Sequence, residues 1–112
     1  MASYKIIFYV PESHVEQVKD AVFLAGAGQQ GHYDQCCWQT LGKGQFRPLA
    51  GSNPFISGES KQKQVVEYVD EYRIEVLCDT EYIEASVDAL KAAHPYEEPA
   101  FDVILRCSSN SF

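Results

Sequence analysis

The chain has 112 residues, 46% hydrophobic and 12% aromatic, with 9 basic and 16 acidic side chains and a formal charge of −7. The apolar share supports one core without staples and excludes a disordered chain, while the acidic balance excludes a nucleic-acid surface, which needs a basic stripe to displace counterions. No apolar run is long enough to span a bilayer, and Met1 to Lys5 enters a strand-like run without a leader pattern, so a cytoplasmic protein that does not engage membranes is expected.

Tyr4 to Val10 is a β-branched and aromatic run, and reads as a strand that Pro11 stops. Ser13 and Glu16 have the spacing of a capping box, in which each side chain satisfies a free backbone N–H. Val15, Val18, Val22 and Ala25 follow at helical spacing with polar residues between them, which predicts an amphipathic helix of about three turns. Gly26 is its natural C-cap. Gly26 to Gly31 matches G-x-G-x-x-G, but it follows a helix and opens a strand. A dinucleotide fingerprint does the reverse, so the glycines are expected to supply positive φ and a tight helix exit.

Tyr33 to Leu41 reads as a second strand, continued through Gly42 to Pro48 with a bend or bulge at the glycines. Leu49 to Gly58 is turn-rich. Gln64 to Cys78 contains the third strand, with Tyr68, Tyr72, Ile74, Val76 and Cys78 in one phase and Glu67, Glu71, Arg73 and Glu75 in the other. That period of two marks a half-buried antiparallel strand, longer than a small domain needs and suited to an arm on a neighbouring subunit. Thr80 is placed to cap a second helix whose inner stripe is Ile83, Val87, Leu90 and Ala93. His94 falls at its C-terminal end, where the helix dipole favours an imidazolium. Ala100 to Cys107 is the last strand, and residues 108–112 are a loose tail beyond a single domain of residues 1–107.

The order strand, helix, strand, strand, helix, strand, with right-handed crossovers, gives an α+β ferredoxin-like sandwich: a four-stranded antiparallel sheet with two helices on one face. The other face lacks cover. Aromatic residues are plentiful in these strands, so self-association is the expected remedy for an apolar face left in water.

Between the second helix and the last strand stands His94-Pro95-Tyr96-Glu97-Glu98-Pro99. The two prolines bias His94 and Glu98 away from helical geometry, so a histidine, a phenol and two carboxylates are held in a rigid connection. His94, Glu97 and Glu98 are a candidate ligand set for a divalent metal ion, and His94, Tyr96, Glu97 and Glu98 a candidate ligand-binding or interface set. Against these stands a structural reading, in which His94 and Glu97 hydrogen-bond nearby backbone and Tyr96 packs at a subunit boundary. His14 and His32 read as exposed. Tyr33, Trp38 and Phe46 offer stacking surfaces but read first as packing residues. The four cysteines, Cys36, Cys37, Cys78 and Cys107, make no C-x-x-C pair and read as buried thiols acting as small hydrophobes. Neither a nucleophile elbow, a Walker loop nor H-E-x-x-H occurs, and no catalytic residue is assigned.

Taken together, Gly26-Ala27-Gly28, Gly31, Tyr33, Cys36, Gly42, Gly44, Phe46, Pro48, Gly51, Pro54, Gly58, Glu71, Arg73, Glu75, His94 to Ala100 and Asp102 resemble one pattern. It is the PII-like domain inserted in many Nif-three-like proteins, also known as GTP cyclohydrolase I type 2 homologues, in its stand-alone form. The H-P-Y-E-x-P element also resembles one in CutA-type divalent-cation tolerance proteins. The resemblance implies a PII-like homo-oligomer, with a trimer expected. It does not carry over the two-metal centre of the larger family, which belongs to the flanking domains. The expected function is a non-enzymatic binding or regulatory module, taking a divalent metal or small metabolite at an inter-subunit cleft. The alternatives are a metal-dependent hydrolase and a structural partner of a Nif-three-like core protein.

Overall fold

The computed structural model describes residues 3–55 and 65–107; the expected tail and the end of the 49–58 loop lie outside the described residues. In β1 (Ser3–Pro11), Ile6, Phe8 and Val10 are fully buried on one side of the strand, and Lys5, Ile7 and Tyr9 alternate to the other. A 3-10 turn over Glu12–His14 leads into α1 (Val15–Leu24), whose Val15, Val18 and Val22 are buried. The capping box does not form. The extra turn moves the helix start past Ser13, His14 takes the N-cap position, and Ser13 Oγ instead pairs with His14 Nδ1 at 2.8 Å.

The exit from α1 is a Schellman arrangement. Gly26 N–H donates to the Phe23 carbonyl at 3.0 Å and Ala27 N–H to the Val22 carbonyl at 3.1 Å. Gly26 sits at φ +119°, and a Cβ there would run into the ring of Tyr82, so glycine is required twice over. Gly28 then donates to the Leu77 carbonyl at 2.8 Å and accepts from Cys36 N–H at 2.9 Å. The glycine-rich stretch therefore pins an irregular loop against the strand that carries Leu77 and opens no helix.

That loop shortens the second strand. β2 is Trp38–Phe46, not Tyr33 onward. Gln30 bridges Tyr33, and Gln35 has φ +55°, a left-handed residue that breaks the extended run before Trp38. The anticipated bulge is also absent. β2 pairs with β3 (Glu67–Asp79) residue for residue, from Trp38↔Glu75 to Phe46↔Glu67, straight through both glycines. Gly44 has a different use: the Glu71 side chain lies over it, where a Cβ would collide with the carboxylate.

A second 3-10 turn, Thr80–Tyr82, precedes α2 (Ile83–Ala93). Tyr82 holds the N-cap position of α2, so Thr80 does not cap the helix as expected; the intervening turn again displaces the helix start. β4 is Phe101–Arg106. The sheet order is β2-β3-β1-β4 with every neighbouring pair antiparallel, which is the ferredoxin-like α+β arrangement. Its core sets Ile6, Phe8 and Val10 of β1 and Ile74, Val76 and Cys78 of β3 against Val18 and Val22 of α1 and Leu90 of α2. Among the described residues no helix is long and apolar enough to cross a membrane.

The uncovered face differs from the apolar sheet anticipated. Its centre is charged: Lys5 Nζ lies 3.0 Å from Glu75 Oε1, and Arg73 Nε lies 3.4 Å from Glu75 Oε2. These contacts, led by the hydrogen bond from Lys5, hold the Glu75 carboxyl below its ordinary range. Alternation sends Ile6, Phe8, Val10, Ile74 and Val76 to the helix side, which leaves the polar phase of β3 outward. Exposed apolar groups lie instead toward the two edges of the sheet, with Trp38, Leu41 and Tyr68 on the β2–β3 hairpin and Val103, Ile104 and Leu105 on β4. β1 pairs with β3 no further than Pro11↔Glu71, so Lys43–Phe46 and Glu67–Asp70 run on as a two-stranded arm. Leu41 and Tyr68, both more than half exposed, lie on or beside it.

Candidate functional site

The turn after α2 is built around His94. Helix α2 ends there because Pro95 forces extended geometry, and His94 adopts φ −70° and ψ 136°. Its ring swings inward and is 7% exposed. β4 stops pairing with β1 at Phe8↔Phe101. The carbonyl of Tyr9, one residue further along β1, is met instead by His94 Nε2 at 2.6 Å. On the other side of the ring, Tyr96 N–H donates to Nδ1 at 3.1 Å. An Nδ1 that accepts fixes the proton on Nε2, so the imidazole is a neutral hook between strand and turn. Burial pushes its pKa down, partly offset by the bond to Tyr9. The imidazolium expected from the helix dipole is therefore not the form present; desolvation outweighs the dipole.

The turn's other polar groups are placed as follows. Tyr96 Oη donates to Glu71 Oε2 on β3 at 3.1 Å, and burial, with the Glu71 charge beside it, holds the phenol proton well above its ordinary range. Glu97 Oε1 accepts from Asn53 N–H at 3.3 Å and so ties the turn to the 47–55 loop. Glu98 is exposed. The ring of Phe55, from that loop, lies edge-on to His14 at 5.2 Å and tilted to Tyr96 at 6.3 Å, while Tyr96 sits 4.8 Å from His94. His14 is thus half-buried rather than exposed; His32 is exposed.

These contacts enclose a cavity of about 430 Å³ between the turn, the end of β1, the root of the hairpin arm and the 47–55 loop. Tyr96, Glu97 and Glu98 line it, whereas His94 stands behind the wall. Phe46 also reaches it, but Tyr33 and Trp38 do not. Tyr33 is 75% exposed, and Trp38 donates its Nε1–H to Thr40 Oγ1 at 2.9 Å. The sequence reading missed Tyr9, Arg47 and Glu71. Arg47 stands beside Pro48 in a stretch read as strand, and Glu71 lay in the outward phase of β3, so neither carried a local signal.

The cavity walls do not fit a metal ion. Both nitrogens of His94 are engaged, Glu97 is bonded to backbone, and the described residues hold no group of three or more His, Cys, Asp or Glu placed to ligate one. The cysteines are free, and only Cys78 is buried as expected, beside Ser86 Oγ at 3.5 Å; Cys36 and Cys37 are half-buried, and Cys107, just past the end of β4, is exposed. Burial raises the pKa of Cys37 and Cys78.

No protein-family model matches the chain. Among curated proteins it is 44% identical over 99 residues to the GTP cyclohydrolase 1 type 2 homolog of Mycobacterium leprae, covering 88% of this chain and 25% of that protein. A solved Bacillus cereus protein related to NIF3 superimposes with a TM-score of 0.79 at 33% identity, over 96% of this chain and 26% of that one. Two further likenesses concern the fold alone. CutA from Archaeoglobus fulgidus, a periplasmic divalent cation tolerance protein, gives a TM-score of 0.63 at 18% identity, over 99% of this chain and 91% of its own. GlnK of B. subtilis, in complex with ATP, gives 0.61 at 10% identity, over 94% and 82%. The chain spans about a quarter of the length of the curated relatives it matches. The chain corresponds to one segment, about a quarter in length, of the NIF3-related GTP cyclohydrolase 1 type 2 homologues, and it has the fold of CutA and GlnK.

Proposed function

We propose that this segment is a non-catalytic, self-associating binding module whose ligand is a small metabolite held beside the His94 to Pro99 turn. The observation that carries the reading is the cavity at the root of the arm, whose surrounding polar groups are spent on architecture: His94 on Tyr9, Tyr96 on Glu71, Glu97 on Asn53. A pocket of mixed aromatic and polar lining near 430 Å³ is within the range of small-molecule sites. Self-association is supported by the arm. Glu67–Asp70 have β2 on one side only, and an unpaired strand edge flanked by exposed Leu41 and Tyr68 is a template for a second copy. Light scattering on the purified chain tests the assembly, with a trimer expected. A monodisperse monomer at micromolar concentration overturns that half. Calorimetry with a metabolite panel, and separately with zinc, copper and nickel, tests the ligand. Saturable metal binding abolished by His94→Ala would replace the metabolite by a metal.

A second reading has its own support. Because the chain matches only about a quarter of its relatives, the sequence filling their other three quarters is a natural partner, and this module would then regulate or scaffold a Nif-three-like core. Co-purification of the two separates the readings. A metal-dependent hydrolase would need a metal-ligand cluster, which the described residues do not assemble.

A further inference from the structure

We propose that the cavity takes a small organic cation, a flat ring system carrying a protonated amine or an amidinium; this deepens the ligand-binding reading above and rests on it. The first support is aromatic. Tyr9, Phe46, Phe55 and Tyr96 all line the space. Ring faces carry negative quadrupole density that attracts cations and stacks flat bodies. The second is the hydrogen-bonding character of the wall. The Glu71, Glu97 and Glu98 carboxylates are acceptors only, and the Tyr96 hydroxyl already donates its hydrogen bond to Glu71. Ser52 Oγ, in the same wall, is buried with no partner among the described residues. Arg47, the one cation of the lining among the described residues, is exposed at the rim.

A donor-bearing guest complements those acceptors. A phosphate or carboxylate guest would bring further negative charge against three carboxylates, with one screened guanidinium in compensation. The net charge of −7 acts in the same direction, raising the local concentration of cations and lowering that of anions.

Calorimetry on the full chain at pH 7.5 in low salt tests the claim with tryptamine, indole, indole-3-acetate and ATP. The first three share a ring and differ in charge. Tryptamine should bind at least about tenfold more tightly than indole, and indole-3-acetate and ATP more weakly than indole. Glu71→Gln, and independently Glu98→Gln at the exposed rim, should each weaken tryptamine severalfold more than they weaken indole. Glu98 makes no hydrogen bond or ion pair among the described residues, so the effect of Glu98→Gln reads charge. Equal binding of tryptamine and indole, tighter binding of ATP, or indifference to both substitutions overturns the cation while leaving a ligand-binding module intact. If none of the four binds, the cation claim falls. If the metabolite panel fails as well, the binding-module reading falls with it.

Discussion

Replacing His94 by alanine tests the central structural claim, that a neutral imidazole fastens the turn to β1. The substitution removes the bond to the Tyr9 carbonyl at 2.6 Å and the bond from Tyr96 N–H at 3.1 Å. Each partner is then left facing a space the ring had filled, and an orphaned buried group costs about 1–3 kcal/mol. Loss of the ring's packing on Tyr96 adds to this, while water entering from the half-exposed side relieves part of it. The sum is a destabilisation of about 3 kcal/mol. Urea unfolding followed by far-ultraviolet circular dichroism, at pH 7.5 and fixed protein concentration, measures it, because self-association makes apparent stability depend on concentration. His94→Gln, whose amide reaches one of the two partners, should recover part of the loss. Nitrogen NMR of the wild type should place the imidazole proton on Nε2. A loss below about 0.5 kcal/mol for His94→Ala would refute the reasoning, since a surface histidine would give the same result.

Three further outcomes follow from the same geometry. Burial depresses the His94 pKa below 6.5, so the unfolded chain binds a proton more readily than the fold; its contribution is therefore fully present above about pH 6.5 and declines as pH falls from there through the folded value. The urea midpoint should drop between pH 7.5 and 5.5 in wild type and drop less in His94→Gln; equal drops would assign the effect to other groups. Gly26→Ala should cost at least about 2 kcal/mol, because it combines left-handed backbone with a collision against Tyr82, whereas Gly42→Ala, with open space around it, should leave the melting temperature within a few degrees; similar melting of the two would be the contrary result. Thiol labelling of the native protein should reach Cys107 first and Cys78 only on unfolding, since Cys78 is buried with a raised pKa; early labelling of Cys78 would show that the core opens.

Period-two alternation in β3 and the helical stripes of Val15, Val18, Val22 and of Ile83, Val87, Leu90 placed those elements, because burial on one face imposes a period on the chain whatever it packs against. The Pro-flanked stretch from His94 to Pro99 was equally legible as a rigid corner, and Gly26 as a helix exit, since proline and glycine act through their own backbones. Helix starts were misplaced at Ser13 and Thr80 because a single turn of 3-10 helix leaves no mark in the side-chain pattern. The start of β2 was misplaced for a related reason: Gln35, within the docked loop, takes a left-handed conformation, and nothing in Tyr33 to Cys37 announces it. Residue types alone determined that the chain forms a ferredoxin-like sandwich with an acidic, proline-clamped corner. Only the tertiary structure decided what the corner does, because its partners are remote: Tyr9 lies 85 residues from His94 and Glu71 lies 25 from Tyr96. Whether a histidine is a metal ligand or a neutral hook depends on what its two nitrogens meet, and that is set by strands brought together from opposite ends of the chain.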